Sequence, residues 1–200
     1  MKRKLLCAVA AVAVVAVFLH ASAVQEGLAE DLVRFHVIAN SDLPFDQELK
    51  GEVRDAVVGY VESLTRGVRS RDRAQEILGA HLQDLEAIAN AVLQNNGVNY
   101  HAIAKQTNAY FPTKSYAGFR LPAGEYQAVT LTLGEGKGRN FWCVLFPPLC
   151  LSPVSVQTAA SDLSEEEQAL LTETDGVTRY RFFLVEAAGK LKHAVSKLLN

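Results

Sequence analysis

Residues 134–151, Gly-Glu-Gly-Lys-Gly-Arg-Asn-Phe-Trp-Cys-Val-Leu-Phe-Pro-Pro-Leu-Cys-Leu, decide how this chain is read. They hold its only Trp and two of its three Cys. Just upstream, 126–133 (Tyr-Gln-Ala-Val-Thr-Leu-Thr-Leu) alternates in character, which predicts a half-buried strand. Within the stretch, 141–146 is a short apolar run bounded by turn signals, which predicts a fully buried strand. The glycine-rich segment between them reads most simply as a wide hairpin connection whose glycines supply positive φ. Pro147-Pro148 ends the second strand, because proline cannot donate to a ladder and restricts the residue before it.

The same loop invites a phosphate-binding reading, which its spacing rejects. Gly134, Gly136 and Gly138 match neither G-x-x-x-x-G-K-[ST] nor G-x-G-x-x-G. A phosphate loop also needs a helix N-terminus after its strand, and here a strand is expected.

Moving outward to the N-terminus, Met1-Lys-Arg-Lys4 is a positive start and 5–19 is an uncharged apolar run. Ala21-Ser-Ala23 places small residues where a signal peptidase reads them, which predicts cleavage between Ala23 and Val24. The expected organisation is a signal peptide over 1–23 and one exported domain over 24–200. An uncleaved N-terminal anchor is the alternative, since a run shorter than about 20 residues spans only a thinned bilayer. The whole chain carries a formal charge of −2, and removing 1–23 takes away three basic residues and no acid. A mildly acidic remainder has no nucleic-acid footprint. Export leaves Cys143 and Cys150 as an even pair, and an oxidising compartment then suggests a disulfide. Two buried free thiols are the alternative.

The rest of the chain predicts an α+β fold. A strand rich in β-formers is expected over 32–38, then a helix opened by Pro44 with the poor capper Leu43 before it. Its apolar face runs through Leu49, Val53, Val57 and Val61, with Asp46 complementing the dipole of the first turn. Ser70 caps a second helix that runs to Asn95-Asn-Gly97, where Gly97 suits the left-handed position. These two helices form a hairpin over one face of a mixed or antiparallel sheet of four to five strands. A weaker strand is expected over 98–105, a long connection over 107–124, a capping box at Ser164-Glu-Glu-Glu167 and a last strand over 178–184. A C-terminal amphipathic helix over 185–199, with Val185, Ala188, Leu191, Val195 and Leu198 on its apolar side, packs on the sheet.

No catalytic constellation emerges. The five His are isolated, and none is spaced for a metal. His36, Ser41 and Asp42 lie on one short segment outside any nucleophile elbow. Asp42, Asp46 and Glu48 lack the Gly and bidentate Glu of a calcium loop. No cofactor, metal or small-molecule substrate is expected. An aromatic beside the glycine loop, Phe141 or Trp142, would suit protein recognition, and burial in the core is the competing reading.

Several segments together resemble one family, the stage II sporulation protein R family of endospore-forming bacteria. They are Arg34-Phe-His-Val-Ile-Ala-Asn-Ser-Asp42, Asp46-Gln47 with Val53-Arg-Asp-Ala-Val57, Phe111-Pro-Thr-Lys-Ser-Tyr116, Leu121-Pro-Ala-Gly-Glu-Tyr126 and the 134–150 stretch. Two departures are Phe141, where a second Trp is expected, and Leu43, where a small capping residue is expected. The resemblance implies a signalling protein and not an enzyme, exported from the forespore into the space between the septal membranes. It implies one partner, a membrane-embedded aspartic protease of the mother cell that processes pro-sigma-E. The expected contact residues are Asn40, Asp42 and Asp46 on one turn, and Gly136, Lys137, Arg139, Asn140 and Trp142 on the glycine loop. Two other readings stay open: a hydrolase combining His36 or His101 with Cys143, and a structural component of the spore envelope.

Overall fold

A computed structural model describes residues 2–116, 119–147 and 176–199. The elements in chain order are α1 (Lys2–Asp31), β1 (Val33–Ile38), α2 (Pro44–Thr65), α3 (Arg71–Ala80), α4 (Leu82–Asn95), β2 (Ala102–Phe111), β3 (Lys114–Tyr116), β4 (Phe119–Leu121), β5 (Gly124–Leu133), β6 (Asn140–Phe146) and α5 (Gly176–Leu199). The arrangement is α+β. The chain forms two compact units, one drawn from Met1–Glu30, Tyr110–Glu125 and Ala160–Asn200, the other from Asp31–Ala109 and Tyr126–Ala159.

The second unit is built on a mixed sheet with strand order β2-β5-β1-β6. β1 runs parallel to β5 and antiparallel to β6. The expected hairpin between β5 and β6 is therefore corrected: β1 lies between them. The reason is visible in the register, where Ile38 pairs with Thr132 on one side and Asn140 on the other. β5 ends and β6 begins at the same end of β1. The glycine-rich loop spans two strand spacings, about 10 Å, over the C-terminal end of β1. A wide loop was legible from local sequence; the strand it straddles comes from about 90 residues earlier in the chain.

Alternation divides the sheet into two faces. Phe35 and Val37 share a face with Val129, Leu131 and Cys143, and all five are buried. α2 to α4 cover this face. Gln75 on α3 donates to Gln127 at 3.3 Å, and the Arg54 guanidinium on α2 lies 5.0 Å from the Phe141 ring centroid. The other face carries Arg34, His36, Tyr126 and Trp142. Arg34 is fully buried there, with its Nε donating to the Cys143 carbonyl at 3.1 Å and its guanidinium over the Tyr126 ring. Hydrogen bonding and the ring's negative face offset the cost of burying that cation.

Local chemistry sets the helices. α2 opens at Pro44 after an uncapped Leu43 and buries Leu49, Val53, Val57, Val58 and Val61 on one stripe. Ser70 caps α3 through Arg73 N, as its position predicted. The second helix proves to be two, α3 and α4, broken at His81. Gly97 takes φ +72° past the end of α4.

Three further expectations change. The strand predicted over 98–105 runs from Ala102 to Phe111, so it takes up the start of the supposed long connection. The remainder of that connection holds a small antiparallel pair, with Ser115 opposite Arg120. The strand predicted over 178–184 is helical, because α5 begins at Gly176. Seven alternating residues are too short a signal to outweigh tertiary context. The capping box at 164–167 lies outside the described residues.

The first unit contains α1, β3, β4 and α5. Val185 and Ala188 of α5 are buried, whereas Leu191, Val195 and Leu198 are exposed, so only part of the expected apolar face packs. α1 continues unbroken through Ala23 and Val24. Its later half buries Ala21, Gln25 and Leu28, while Leu6, Val9, Val12, Val15, Val17 and Leu19 are exposed. Among the described residues, no helix is long and apolar enough to cross a membrane.

Candidate functional site: a turn and a loop locked together

The two segments singled out from sequence, 40–46 and 134–142, meet at the end of β1. The chain leaving β1 turns towards α2 just where the glycine loop crosses. Backbone groups join them directly: Gly138 N donates to the Ala39 carbonyl at 2.9 Å and Lys137 N to the Asn40 carbonyl at 3.1 Å. Side chains add to this. The Asn40 Oδ1 accepts from Glu135 N at 3.0 Å, and the Asp42 carboxylate accepts from Arg139 N at 2.6 Å. Lys50 Nζ, on α2, donates to the Arg139 carbonyl at 2.9 Å. Each bond satisfies a polar group that would otherwise lie unpaired at a strand end.

The glycines are explained by this contact. Gly134 and Gly136 have φ of +56° and +62°, a region L side chains rarely adopt. Gly138 has no such φ, but a Cβ there would run into the Ser41 carbonyl and the Ala39 side chain. Two glycines shape the loop, and the third lets it press against the turn.

Asp46 is the hub of the turn. It is buried, and its carboxylate accepts from Ser41 Oγ at 2.5 Å, Asn40 Nδ2 at 2.9 Å and Tyr100 OH at 2.6 Å. Burial opposes its ionisation. The hydroxyls of Ser41 and Tyr100 and the Asn40 amide outweigh that, so its pKa is held below the ordinary carboxylate value. Tyr100 is pushed the other way, by burial first and then by its bond to the Asp46 carboxylate. Asp46 also stands in the first turn of α2, where the helix dipole favours a negative charge. Leu43 can thus serve as the residue before the helix without capping it. Gln47 Nε2 donating to the Ser41 carbonyl at 2.8 Å closes the turn.

The predicted contact residues divide by exposure. Asp42, Lys137, Arg139 and Asn140 are exposed, Asn40, Gly136 and Trp142 are half-buried, and Asp46 is buried. Around them stand Leu43 and Phe45, exposed at 66% and 51%. Arg139 Nε lies 3.6 Å from the Asp42 carboxylate, and Lys137 pairs with Glu135 at 2.7 Å. Lys50 is half-buried among them, and its pKa is lowered by burial and then by Arg139 and Arg54. The outer surface is therefore an apolar pair beside a mixed but cation-rich rim. Sequence reasoning missed Tyr100 and Lys50, and it gave Ser41 and Gln47 no part in holding the turn. No local signal marks Tyr100, which reaches the turn from 54 residues away.

The two pairings named for a hydrolase, His36 with Cys143 and His101 with Cys143, are not formed. His36 stacks on Trp142, with ring centroids 3.8 Å apart, and burial lowers its pKa against the opposing effect of its hydrogen bond to Asn140. Cys143 pairs with Phe35 and so faces away from His36. His101 stands at the start of β2, across the sheet from β6. Ser41 donates its hydroxyl to Asp46 and is not poised on a histidine. Among the described residues, no group of three or more metal-ligating side chains forms. Cys143 is buried, and Cys150 lies outside the described residues.

Fold and site define a mixed-sheet unit in which a turn and a glycine loop are held together at the end of β1. The family model for stage II sporulation protein R matches residues 29–156. Stage II sporulation protein R of Bacillus subtilis (strain 168) is 35% identical over 150 residues, covering 75% of this chain and 66% of that protein. The chain belongs to the stage II sporulation protein R family, a family of sporulation signalling proteins. It spans about two thirds of the length of the Bacillus subtilis relative. No solved structure matches it.

Proposed function

We propose that this protein is an exported sporulation signal that activates the membrane-embedded aspartic protease processing pro-sigma-E, and that it does so by docking. The observation that carries the reading is the locked pair of segments at the end of β1. Segments 39–46 and 134–140 contribute backbone and side-chain bonds to each other, so the surface is held in one conformation before a partner arrives. Such preorganisation reduces the ordering cost of association. Leu43 and Phe45 supply apolar contact area, and Lys137 and Arg139 supply charge at its edge. An activator of this kind shifts the protease towards its active state only by binding that state more tightly.

Export is supported by the basic start and apolar run of α1. Six large apolar side chains there are exposed, as suits a segment that enters a membrane or is removed. A Cys143–Cys150 disulfide belongs to the same proposal. Mass measurement of the exported protein after thiol alkylation, without and with prior reduction, reads it directly. Two alkylated cysteines before reduction would reject the bridge.

The activator role is tested by reconstituting the protease with pro-sigma-E in vesicles, with and without this protein on the extracytoplasmic side. Processing is expected only when the protein is present. Equal processing in its absence would reject the role.

A further inference from the structure

We propose that α5 is a membrane-docking helix, lying on a phospholipid surface through the apolar stripe Leu184, Leu191, Val195 and Leu198. The proposal rests on reading 1–23 as a membrane-directed segment, and not on the identity of the protease.

The stripe follows helical geometry. Steps of seven, four and three residues put these four side chains on one side of the helix. All four are exposed, Leu198 at 85%. The packed side of α5 adjoins the stripe and shares Ala188 with it, so the stripe is covered at that residue and open on towards the C-terminus. Val185 and Ala188 are buried, and Gly189 comes so close to the Ala123 carbonyl that a Cβ would collide with it. His193 pairs with Glu125 at 2.7 Å and stacks on Tyr110. α5 is thus held in its unit through Val185, Ala188, Gly189 and His193, while Leu191, Val195 and Leu198 towards its C-terminus are left to solvent. A large exposed apolar stripe is costly unless something covers it.

Two observations select a membrane as the occupant. The first is position. Lys192 pairs with Glu26 of α1 at 2.6 Å. Glu26 stands seven residues beyond Leu19, the end of the apolar run, which is about 10 Å along a helix axis. If the run enters a bilayer, that ion pair holds α5 within reach of the interface, where amphipathic helices bury their apolar side. The second is charge. Lys190, paired with Glu186, and Lys197, in the last turn of α5, flank the stripe on one side, and the excess positive charge of Lys197 suits anionic headgroups. Glu186, the acidic residue nearest this edge, is neutralised by Lys190 and lies near Arg120.

The test uses the full chain on phosphatidylcholine vesicles carrying brominated lipid, with or without one third phosphatidylglycerol. An environment-sensitive thiol probe is placed at Val195→Cys in a Cys7→Ser background. The Cys7→Ser chain alone sets the labelling background. A probe on native Cys7 reports insertion of α1, and one at Glu48→Cys, in Cys7→Ser, reports the other unit. The account expects the probe at 195 to be quenched about threefold more than that at 48 on anionic vesicles. Lys190→Gln with Lys197→Gln is expected to remove most of the preference for anionic lipid. Quenching at Cys7 but not at 195 overturns the proposal and leaves the targeting reading intact; quenching at neither overturns both. A probe at 195 already shielded without vesicles means that protein covers the stripe, which also overturns it.

Discussion

The end of β1 and the exposed side of α5 handle surface in opposite ways. At the end of β1, a turn and a loop from distant parts of the sequence satisfy each other's polar groups almost completely. On α5, large apolar side chains stand in solvent although an adjoining side of the same helix is packed. The first region is costly to disturb from within, and its outer residues can vary. The second can be made polar with little effect on folding. The comparison separates a surface proposed to fit one partner from a surface proposed to meet an apolar phase.

Asp46→Ala is the harshest way to break the first region. It removes a buried acceptor from Ser41, Asn40 and Tyr100, and bonds to a charged group contribute about 1.5–3 kcal/mol each at most. A loss of about 3 kcal/mol is expected in urea unfolding at neutral pH. Because the folded pKa of Asp46 is depressed, the stability it contributes is present above the ordinary unfolded value, about 3.9. It fades as pH falls through the lower folded value. The gap between wild type and Asp46→Asn should therefore narrow below about pH 4. A gap that is constant from pH 7 to pH 3 would contradict the hydrogen-bonded hub.

Gly138→Ala comes next. Its Cβ would push the loop off the Ser41 carbonyl, at a cost of about 2 kcal/mol, the middle of the range for overpacking. Faster exchange of the Lys137 and Arg139 amides would place that damage at the crossing. Gly136→Ala should cost about 1–2 kcal/mol, from its left-handed φ. The smallest effect sharpens the contrast. Leu191→Ser, Val195→Ser and Leu198→Ser together should change stability by no more than about 0.5 kcal/mol per site, since these side chains are exposed. A larger loss would mean that the stripe is packed after all.

These differences also mark what sequence could and could not reveal. The β1 strand, the stripe of α2, the Ser70 cap and the left-handed Gly97 were legible because each depends on residues within a turn or two. Gly134 and Gly136 were read correctly as positive-φ residues. Gly138 was not separable from them, because its constraint is a carbonyl nearly a hundred residues away. The same distance hid the β1 strand between β5 and β6, and the reach of Tyr100 to Asp46. Both candidate segments were named from sequence. Their meeting at one strand end is a property of topology, which no local pattern carries. The α5 face was misjudged for a related reason: periodicity reports that a helix has an apolar side, not what that side touches.

The central claim is that the locked turn and loop are the face through which this protein acts. The most direct measurement is reconstituted pro-sigma-E processing with the Lys137→Glu, Arg139→Glu variant, alongside its unfolding curve. Both side chains are mostly exposed, so the fold should hold to within about 1 kcal/mol. The account predicts unchanged folding with processing reduced about tenfold or more, a loss of at least 1.4 kcal/mol in coupling. Processing at the wild-type level by that folded variant would contradict it.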